Sequence, residues 1–194
     1  MEAIHPKAAK PLELANINIR IKNTFEPEHP GTLITKDYVS EIPKIEIVSG
    51  TKKVLAIEIH DPMMVGEVGF DLRIMQIFEK FGVSYILKST NANSITMVVW
   101  DNYKSREMIA ELELNFYQVT TKRVAIVCVM GTNIALPGFL YRASKALYEQ
   151  GINVESFAQS LRQVNMQFVI NREHYEKAVI ALNDALCLRN QQEQ

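Results

Sequence analysis

The sequence predicts an α+β fold built from two similar units, and three observations support this prediction. The stretch VGEVGFDLRIMQIFEKFGVSYI, beginning at Val65, has the same pattern as NIALPGFLYRASKALYEQGINVES, beginning at Asn133. A single spacing of 69 residues also relates Gly82 to Gly151. Each stretch follows a run dense in β-branched residues, which is typical of a buried strand. A repeat of this kind indicates a duplicated structural unit.

Both units show the same predicted order of elements. KVLAIEIH (53–60) and RVAIVCVM (123–130) are predicted strands. A loop with glycine follows each, and then an amphipathic helix, FDLRIMQIFEKF or FLYRASKALYEQ, which Gly82 or Gly151 is expected to end. The order β-α-β-β-α-β that results is ferredoxin-like. The remaining predicted elements are strands at 83–88 and 94–100 with the helix YKSREMIAELE, and strands at 152–158 and 163–170 with the helix EHYEKAVIALNDALC.

The two units are expected to pack together, because NFYQVTTKRVAIV joins them without a Gly-, Pro- or Ser-rich spacer. In such a unit the helices cover one face of the sheet, and we expect the other face to be open. Open faces and unpaired strand edges favour pairing with a second copy, so the sequence predicts a homodimer.

Composition excludes several classes of function. The formal net charge of −1 provides no basic field for nucleic acid or for a membrane surface. No apolar run is long enough to span a bilayer, and the N-terminus has no signal-peptide segment. Cys128 and Cys187 are expected to be reduced thiols that pack in the core, which predicts a cytoplasmic protein. His60 and His174 show no metal-ligand spacing with the cysteines, so no metal site is predicted.

Three linked stretches resemble the C-terminal part of aspartokinase, the enzyme that phosphorylates the side-chain carboxylate of aspartate. PGFLYRASKALYEQGINVESFAQ is similar to the second ACT domain of that family, and MMVGEVGFDLRIMQIFEKFGVSY to the first. HPKAAKPLELANINIRIKNTFEPEHPGTLI resembles the last strands of its kinase domain. The matching positions are His5, Pro6, Pro27, Gly31 and Thr32; Met64, Gly66, Gly69, Phe70 and Ser84; and Pro137, Gly138, Gly151, Ile152, Asn153, Val154, Ala158 and Gln159.

The resemblance implies a division of the chain. A C-terminal remnant of the kinase domain, too small for a core of its own, is expected at 1–44, and a polar, frayed tail at 189–194. The first ACT domain is expected at 45–121 and the second at 122–188. KIEIVSG (44–50) is expected to pair with the sheet of the second unit, because one ACT unit is inserted into the other in this family.

The resemblance also implies an allosteric amino-acid-binding region of the aspartate pathway, with feedback inhibition by lysine or threonine and a homodimer formed through the ACT domains. The chain has neither the Lys-Phe-Gly-Gly stretch of the kinase domain nor another glycine-rich phosphate loop before a helix. We therefore expect no kinase activity and no cofactor in this chain alone. ATP and Mg would belong to the kinase domain. The alternatives are a structural dimerisation module without a ligand and a part of a catalytically active aspartate kinase.

The loop from Asp61 to Gly69 is the first candidate ligand site. Glycines at 66 and 69 would allow backbone N–H groups and the helix start to approach a carboxylate, although a plain strand-to-helix turn would use glycine as well. Asp61, Thr90 and Asn91 are the candidates for binding ammonium groups. The full set is Asp61, Met64, Gly66, Gly69, Phe70, Ser84, Tyr85, Thr90 and Asn91.

A second candidate site or interface lies in the second unit, where side-chain amides offer both a donor and an acceptor. By resemblance, lysine is the first effector candidate and threonine the second. Lysine-binding members of the family carry carboxylates at two positions where this chain has Ile86 and Ala92, and this difference argues against lysine. The residues of the second set are Pro137, Gly138, Asn153, Val154 and Gln159.

Overall fold

The structure is a computed structural model that describes residues 4–35 and 40–188. The predicted frayed tail at 189–194 lies outside the described residues. Contacts between Cα atoms divide the chain into two units, residues 1–41 and 42–194. In the ranges that the structure describes, no helix is both long and apolar enough to cross a membrane.

The N-terminal unit consists of a helix and an antiparallel hairpin, namely α1 (Pro6–Leu14), β1 (Ile19–Ile21) and β2 (Thr32–Ile34). Proline occupies the first turn of α1, where its missing N–H costs nothing, and His5 Nδ1 accepts a hydrogen bond from the N–H of Lys7 at 3.2 Å. None of the described side chains of residues 4–35 is buried, and Phe25 is 93% exposed. This segment therefore builds no core of its own.

The main unit alternates strands and helices in the predicted order. Helix α2 lies where the apolar periodicity predicts it, whereas α4 ends at Glu149, one residue before its predicted end. Gly82 stops α2 in the left-handed conformation (φ 61°), as its lack of a Cβ allows. The elements are β3 (Lys44–His60), α2 (Phe70–Phe81), β4 (Tyr85–Thr90), β5 (Ser94–Trp100), α3 (Tyr103–Asn115), β6 (Gln118–Thr132), α4 (Phe139–Glu149), β7 (Val154–Ala158), β8 (Asn165–Asn171) and α5 (Tyr175–Asn183).

The six strands form one antiparallel sheet in the order β4-β5-β3-β6-β8-β7. β3 and β6 are long strands that pair along nearly their whole length. Residues 44–51 of β3 pair with 126–132 of β6, and residues 54–60 pair with 118–124. The register shifts between Thr51 and Val54, which is a bulge that separates the two segments.

Each half of the sheet uses a segment of both long strands. The first half contains β4, β5 and residues 54–60 and 118–124; the second contains β7, β8 and residues 126–132 and 44–51. The prediction that 44–50 pairs with the second unit is therefore confirmed. The two predicted ferredoxin-like units are present, and the fourth strand of the second unit comes from residues 44–51, which precede the first unit in the sequence.

The α-helices α2, α3, α4 and α5 lie on one face of the sheet, because alternate strand residues point toward them. Ile57 and Ile59 pack with Ile74 of α2 and Met108 of α3. In the second half, the equivalent strand residues pack under α4 and α5 in a separate cluster, which also includes Ile45 from the start of β3. A residue that precedes the first unit in the sequence thus belongs to the core of the second.

The opposite face of the sheet is closed rather than open. Leu87 and Val98 of the first half form a buried cluster with Val124, Ile126 and Val169 of the second. The sheet is curled, so that Cα atoms of β4 and β7 lie within 8 Å of each other although these strands are at opposite ends of the strand order. The prediction of an open face for a second copy is wrong, because the apolar face is buried inside one chain.

Polar contacts connect neighbouring segments to the bulge in β3. The N–H of Asp101 donates to the carbonyl of Lys53 at 3.0 Å, and Arg172 Nη2 donates to the carbonyl of Val54 at 3.2 Å. Arg106 Nη2 donates to Asp101 Oδ1 at 2.9 Å, and Arg172 Nη2 lies 3.9 Å from Asp101 Oδ2. The ends of β5 and β8 are therefore both attached to the bulge where the two halves meet.

We expect Leu87→Ala to lower the free energy of unfolding by about 2–5 kcal/mol, because it leaves a cavity between the two halves of the sheet. Leu87 is 2% exposed, whereas Leu114 on α3 is 83% exposed. Leu114→Ala is the matched control and should change stability by no more than about 0.5 kcal/mol. Urea titration of both variants measures the difference in the free energy of unfolding. Equal midpoints would show that the face of the sheet opposite the helices (the concave face) is not packed.

Candidate functional site

The loop between β3 and α2 begins with a local cap. Asp61 Oδ1 accepts a hydrogen bond from the N–H of Met63 at 2.9 Å and starts a short 3-10 turn at Pro62–Met64. The N–H of Asp61 donates to the carbonyl of Asn93 at 3.0 Å, which connects the loop to the turn between β4 and β5. The Asp61 carboxylate thus has a structural role, and its other oxygen is the one that a ligand could engage.

Two glycines shape the rest of the loop. Gly66 and Gly69 have φ angles of 79° and 86°, and a Cβ on either would meet nothing within 4 Å. Gly69 is the N-cap of α2 and supplies no side-chain acceptor, so the N–H groups of the first turn lack the partner that Ser or Asp would provide. Arg73 holds the loop from the helix side by pairing with Glu67 at 2.8 Å.

Strand β4 carries two of the predicted residues on the face of the sheet that the helices cover. Tyr85 and Thr90 pair with Val99 and Ile95, whose side chains point toward the helices, so both lie on the helix-covered side of the sheet. Ile86 instead packs against the cluster on the concave face. Position 86 therefore lies away from the loop, on the surface where the two halves of the sheet meet.

The other predicted residues of the first set have mixed surroundings. Phe70 is 4% exposed and packs against Phe116 with ring centroids 5.5 Å apart, so only its backbone is open to a ligand. Met64 packs against the same core cluster. Ser84 is exposed before β4, and the side-chain oxygen of Asn91 accepts a bond from the N–H of Ala92 at 2.8 Å.

An ion pair at the start of α2 is not among the site residues that the sequence predicts. Lys88 Nζ donates to Asp71 Oδ2 and so connects the middle of β4 to the first turn of α2. Asp71 Oδ1 is buried and has no hydrogen-bond partner among the described residues. Two signals in the sequence could have indicated this pair: a lysine inside a strand, and an acidic residue in the first turn of a helix, where the helix dipole favours it.

The second half has a cavity at the corresponding helix start. The cavity has a volume of about 340 Å³ and is lined by Pro137, Gly138 and Gln159 together with residues of the loop and of α4. Asn153 is exposed before β7, and Val154 packs against the core under α4 and α5. The structure therefore brings three of the five predicted residues together at the cavity.

The cysteines and acidic residues form no obvious metal site. Among the described residues, no group of three or more His, Cys, Asp or Glu side chains is placed to hold a metal ion. Burial raises the pKa of the Cys128 thiol, against a smaller opposing effect of its hydrogen bond with Gln167. Burial, and then the nearby carboxylate of Glu46, raise the pKa of Cys187. Both thiols are therefore protonated near neutral pH, as packed side chains would be.

The sequence and the fold have counterparts in known proteins. The ACT domain family matches residues 127–186. Aspartate kinase Ask_Ect of Stutzerimonas stutzeri (strain A1501) is 43% identical over 189 residues, which cover 96% of this chain and 40% of that protein. The chain is homologous to aspartokinases. It spans about 40% of the length of this curated relative.

Solved structures of aspartokinases show the same fold. The aspartate kinase of Clostridium acetobutylicum matches with a TM-score of 0.81 and 27% identity over 94% of this chain and 45% of that one. E. coli aspartokinase III in complex with lysine and aspartate matches with a TM-score of 0.76 and 18% identity over 95% of this chain and 42% of that one. The resemblance inferred from the sequence is confirmed, and the main unit of this aspartokinase homologue consists of paired ACT-type units.

Proposed function

We propose that this chain is the amino-acid-binding regulatory region of an aspartokinase and mediates feedback inhibition of a cytoplasmic pathway of amino-acid biosynthesis. The observation that carries the proposal is the open glycine loop at Gly66–Gly69, which leads into a helix start without a side-chain cap. Such a start attracts the carboxylate of an amino acid through its N–H groups and the helix dipole. Homology to aspartokinases supports the same assignment.

The effector is an amino acid of the aspartate family, lysine or threonine. Its carboxylate binds the N–H groups between Gly66 and Phe70, and its ammonium binds near Asp61, Thr90 and Asn91. The lysine complex of E. coli aspartokinase III supports lysine by analogy. A structural dimerisation module is the alternative function, and the cavity at Pro137, Gly138 and Gln159 is the alternative ligand site.

Binding at one loop regulates a kinase only if the ligand prefers one arrangement of the regulatory region over another. The shared strands β3 and β6 offer a physical route, because a shift of either strand moves both halves of the sheet. The bulge between Thr51 and Val54 is where such a shift is easiest to accommodate.

We expect one aspartate-family amino acid to stabilise the protein in a thermal-shift screen of the twenty amino acids. At a hundredfold excess over Kd the gain is about 2.7 kcal/mol, which corresponds to a rise in Tm of roughly 5–10 °C for a chain of this size. Calorimetric titration should then give a measurable Kd. A flat response to all twenty amino acids would favour the structural module instead.

The role of Asp61 is tested with Asp61→Asn rather than with alanine. Asparagine keeps an oxygen that can cap the 3-10 turn, whereas alanine would lose the cap at a cost of about 1 kcal/mol. Losing the charge should weaken effector binding by about one to two decades. If Asp61→Asn leaves every affinity unchanged while Gln159→Ala abolishes binding, the site lies at the cavity of the second half.

We expect no aspartate-dependent ATP turnover from this chain alone, since its sequence contains no glycine-rich phosphate loop before a helix. The measurement is ADP release with aspartate, ATP and Mg²⁺ present, compared with a reaction without aspartate. Turnover that depends on aspartate and co-purifies with the chain would contradict the proposal.

We expect a homodimer formed through the ACT-type units. The exposed apolar side chains around the start of α2 support this contact, with Val68 97% and Leu72 61% exposed. Val68→Asp should therefore shift the mass measured by light scattering from dimer to monomer at tens of micromolar. Ile180→Asp, at a residue of α5 that is 61% exposed, is the control and should leave the dimer intact. A monomeric wild-type protein would refute the expectation.

A further inference from the structure

The ion pair between Lys88 and Asp71 lies inside the proposed effector site. By register, Lys88 pairs with Met97 and shares the helix-covered side of β4 with Tyr85 and Thr90. Asp71 directly follows Phe70, at the helix start proposed to bind the carboxylate. The pair therefore joins β4 to the first turn of α2, next to the N–H groups proposed to bind the carboxylate, where the side chain of a bound amino acid would approach it.

Within the ion pair, the Lys88 side chain is less exposed to solvent than that of Asp71. The Lys88 side chain is 22% exposed and that of Asp71 is 49% exposed. An ammonium group on a half-buried strand has few alternative partners, so Lys88 remains near the carboxylate that neutralises it. The positive charge opposite α2 is thus supplied by the protein itself.

Among the described residues at this helix start, the Asp61 carboxylate is assigned to the α-ammonium of the effector, and the other two carboxylates already have partners. Asp71 is neutralised by Lys88, and Glu67 is paired with Arg73. Position 86 is isoleucine and packs away from the loop, and position 92 is alanine. The ε-ammonium of a bound lysine would approach Lys88 and either be repelled or have to displace it from Asp71.

A neutral hydroxyl group fits the same place. Asp71 Oδ1 is buried without a hydrogen-bond partner among the described residues, and a carboxylate oxygen accepts a bond from a hydroxyl readily. An effector hydroxyl would satisfy this oxygen once the Asp71 side chain turns it toward the ligand, and the bond between Lys88 and the carboxylate can remain in place.

We infer that Lys88 is a specificity-determining residue: its ammonium occupies the cation position opposite α2, so that the site accepts an amino acid with a neutral hydroxyl side chain and rejects lysine. This inference rests on the proposed function and decides between its two effector classes. Threonine represents the accepted class and lysine the rejected one.

The experiment compares threonine and lysine by calorimetric titration of the whole chain and of Lys88→Met. Wild-type protein should bind threonine at least about tenfold more tightly than lysine, as expected when like charges meet in a binding site. Lys88→Met frees Asp71 for a ligand cation and should reduce or invert this preference by about tenfold or more.

Two further variants control for folding and for charge. Lys122→Met removes another lysine that is paired across strands, with Glu155 at 2.8 Å, and should leave the preference unchanged. Asp71→Asn should weaken threonine binding without a gain in lysine binding, so it tests the inference if Lys88→Met fails to fold.

The outcomes separate the two proposals. Tighter binding of lysine than of threonine by wild-type protein would overturn the inference and leave the proposed function standing. An unchanged preference in Lys88→Met would overturn it as well, as would full threonine affinity in Asp71→Asn. Absence of binding of any amino acid to every variant would refute the proposed function, and the inference with it.

Discussion

The pairing of β3 with β6 is the constraint on which the rest of the main unit depends. Each strand is long enough to serve both halves of the sheet, and the bulge between Thr51 and Val54 divides their pairing into two segments. Neither half has four strands without the other, because residues 44–51 complete the second half and 118–124 complete the first. The curl of the shared sheet then buries the face opposite the helices.

This arrangement has a consequence for communication between the halves. The N–H of Asp101 and the guanidinium of Arg172 donate to carbonyls at the bulge and attach the ends of β5 and β8 to it, so both outer parts of the sheet respond to its geometry. A ligand that alters one helix start acts on a sheet that the other half shares. Packed cores respond to such a change by moving between discrete arrangements rather than by bending continuously.

The two helix starts have the same backbone conformation but different side chains around them. Gly69 and Gly138 both precede their helices in the left-handed conformation, without a side-chain cap. At the spacing of 69 residues, Asp71 and Lys88 correspond to Leu140 and Phe157. The first half therefore carries an ion pair where the second is apolar, with Phe157 packed on Phe168 at 5.1 Å between centroids. Duplication kept the fold, and the side chains set two different environments.

The sequence by itself determined the repeat, the helices, the glycine turns and the family, because these depend on local periodicity and on backbone conformation. The whole strand 94–100 and the helix 70–81 follow from alternation and spacing alone. The tertiary structure decided the closed face of the sheet, the fusion of 44–51 with 53–60 into one strand, and the contact of Lys88 with Asp71. These features join residues that are distant in sequence or depend on how strongly the sheet curls, and no local pattern of residues encodes such contacts.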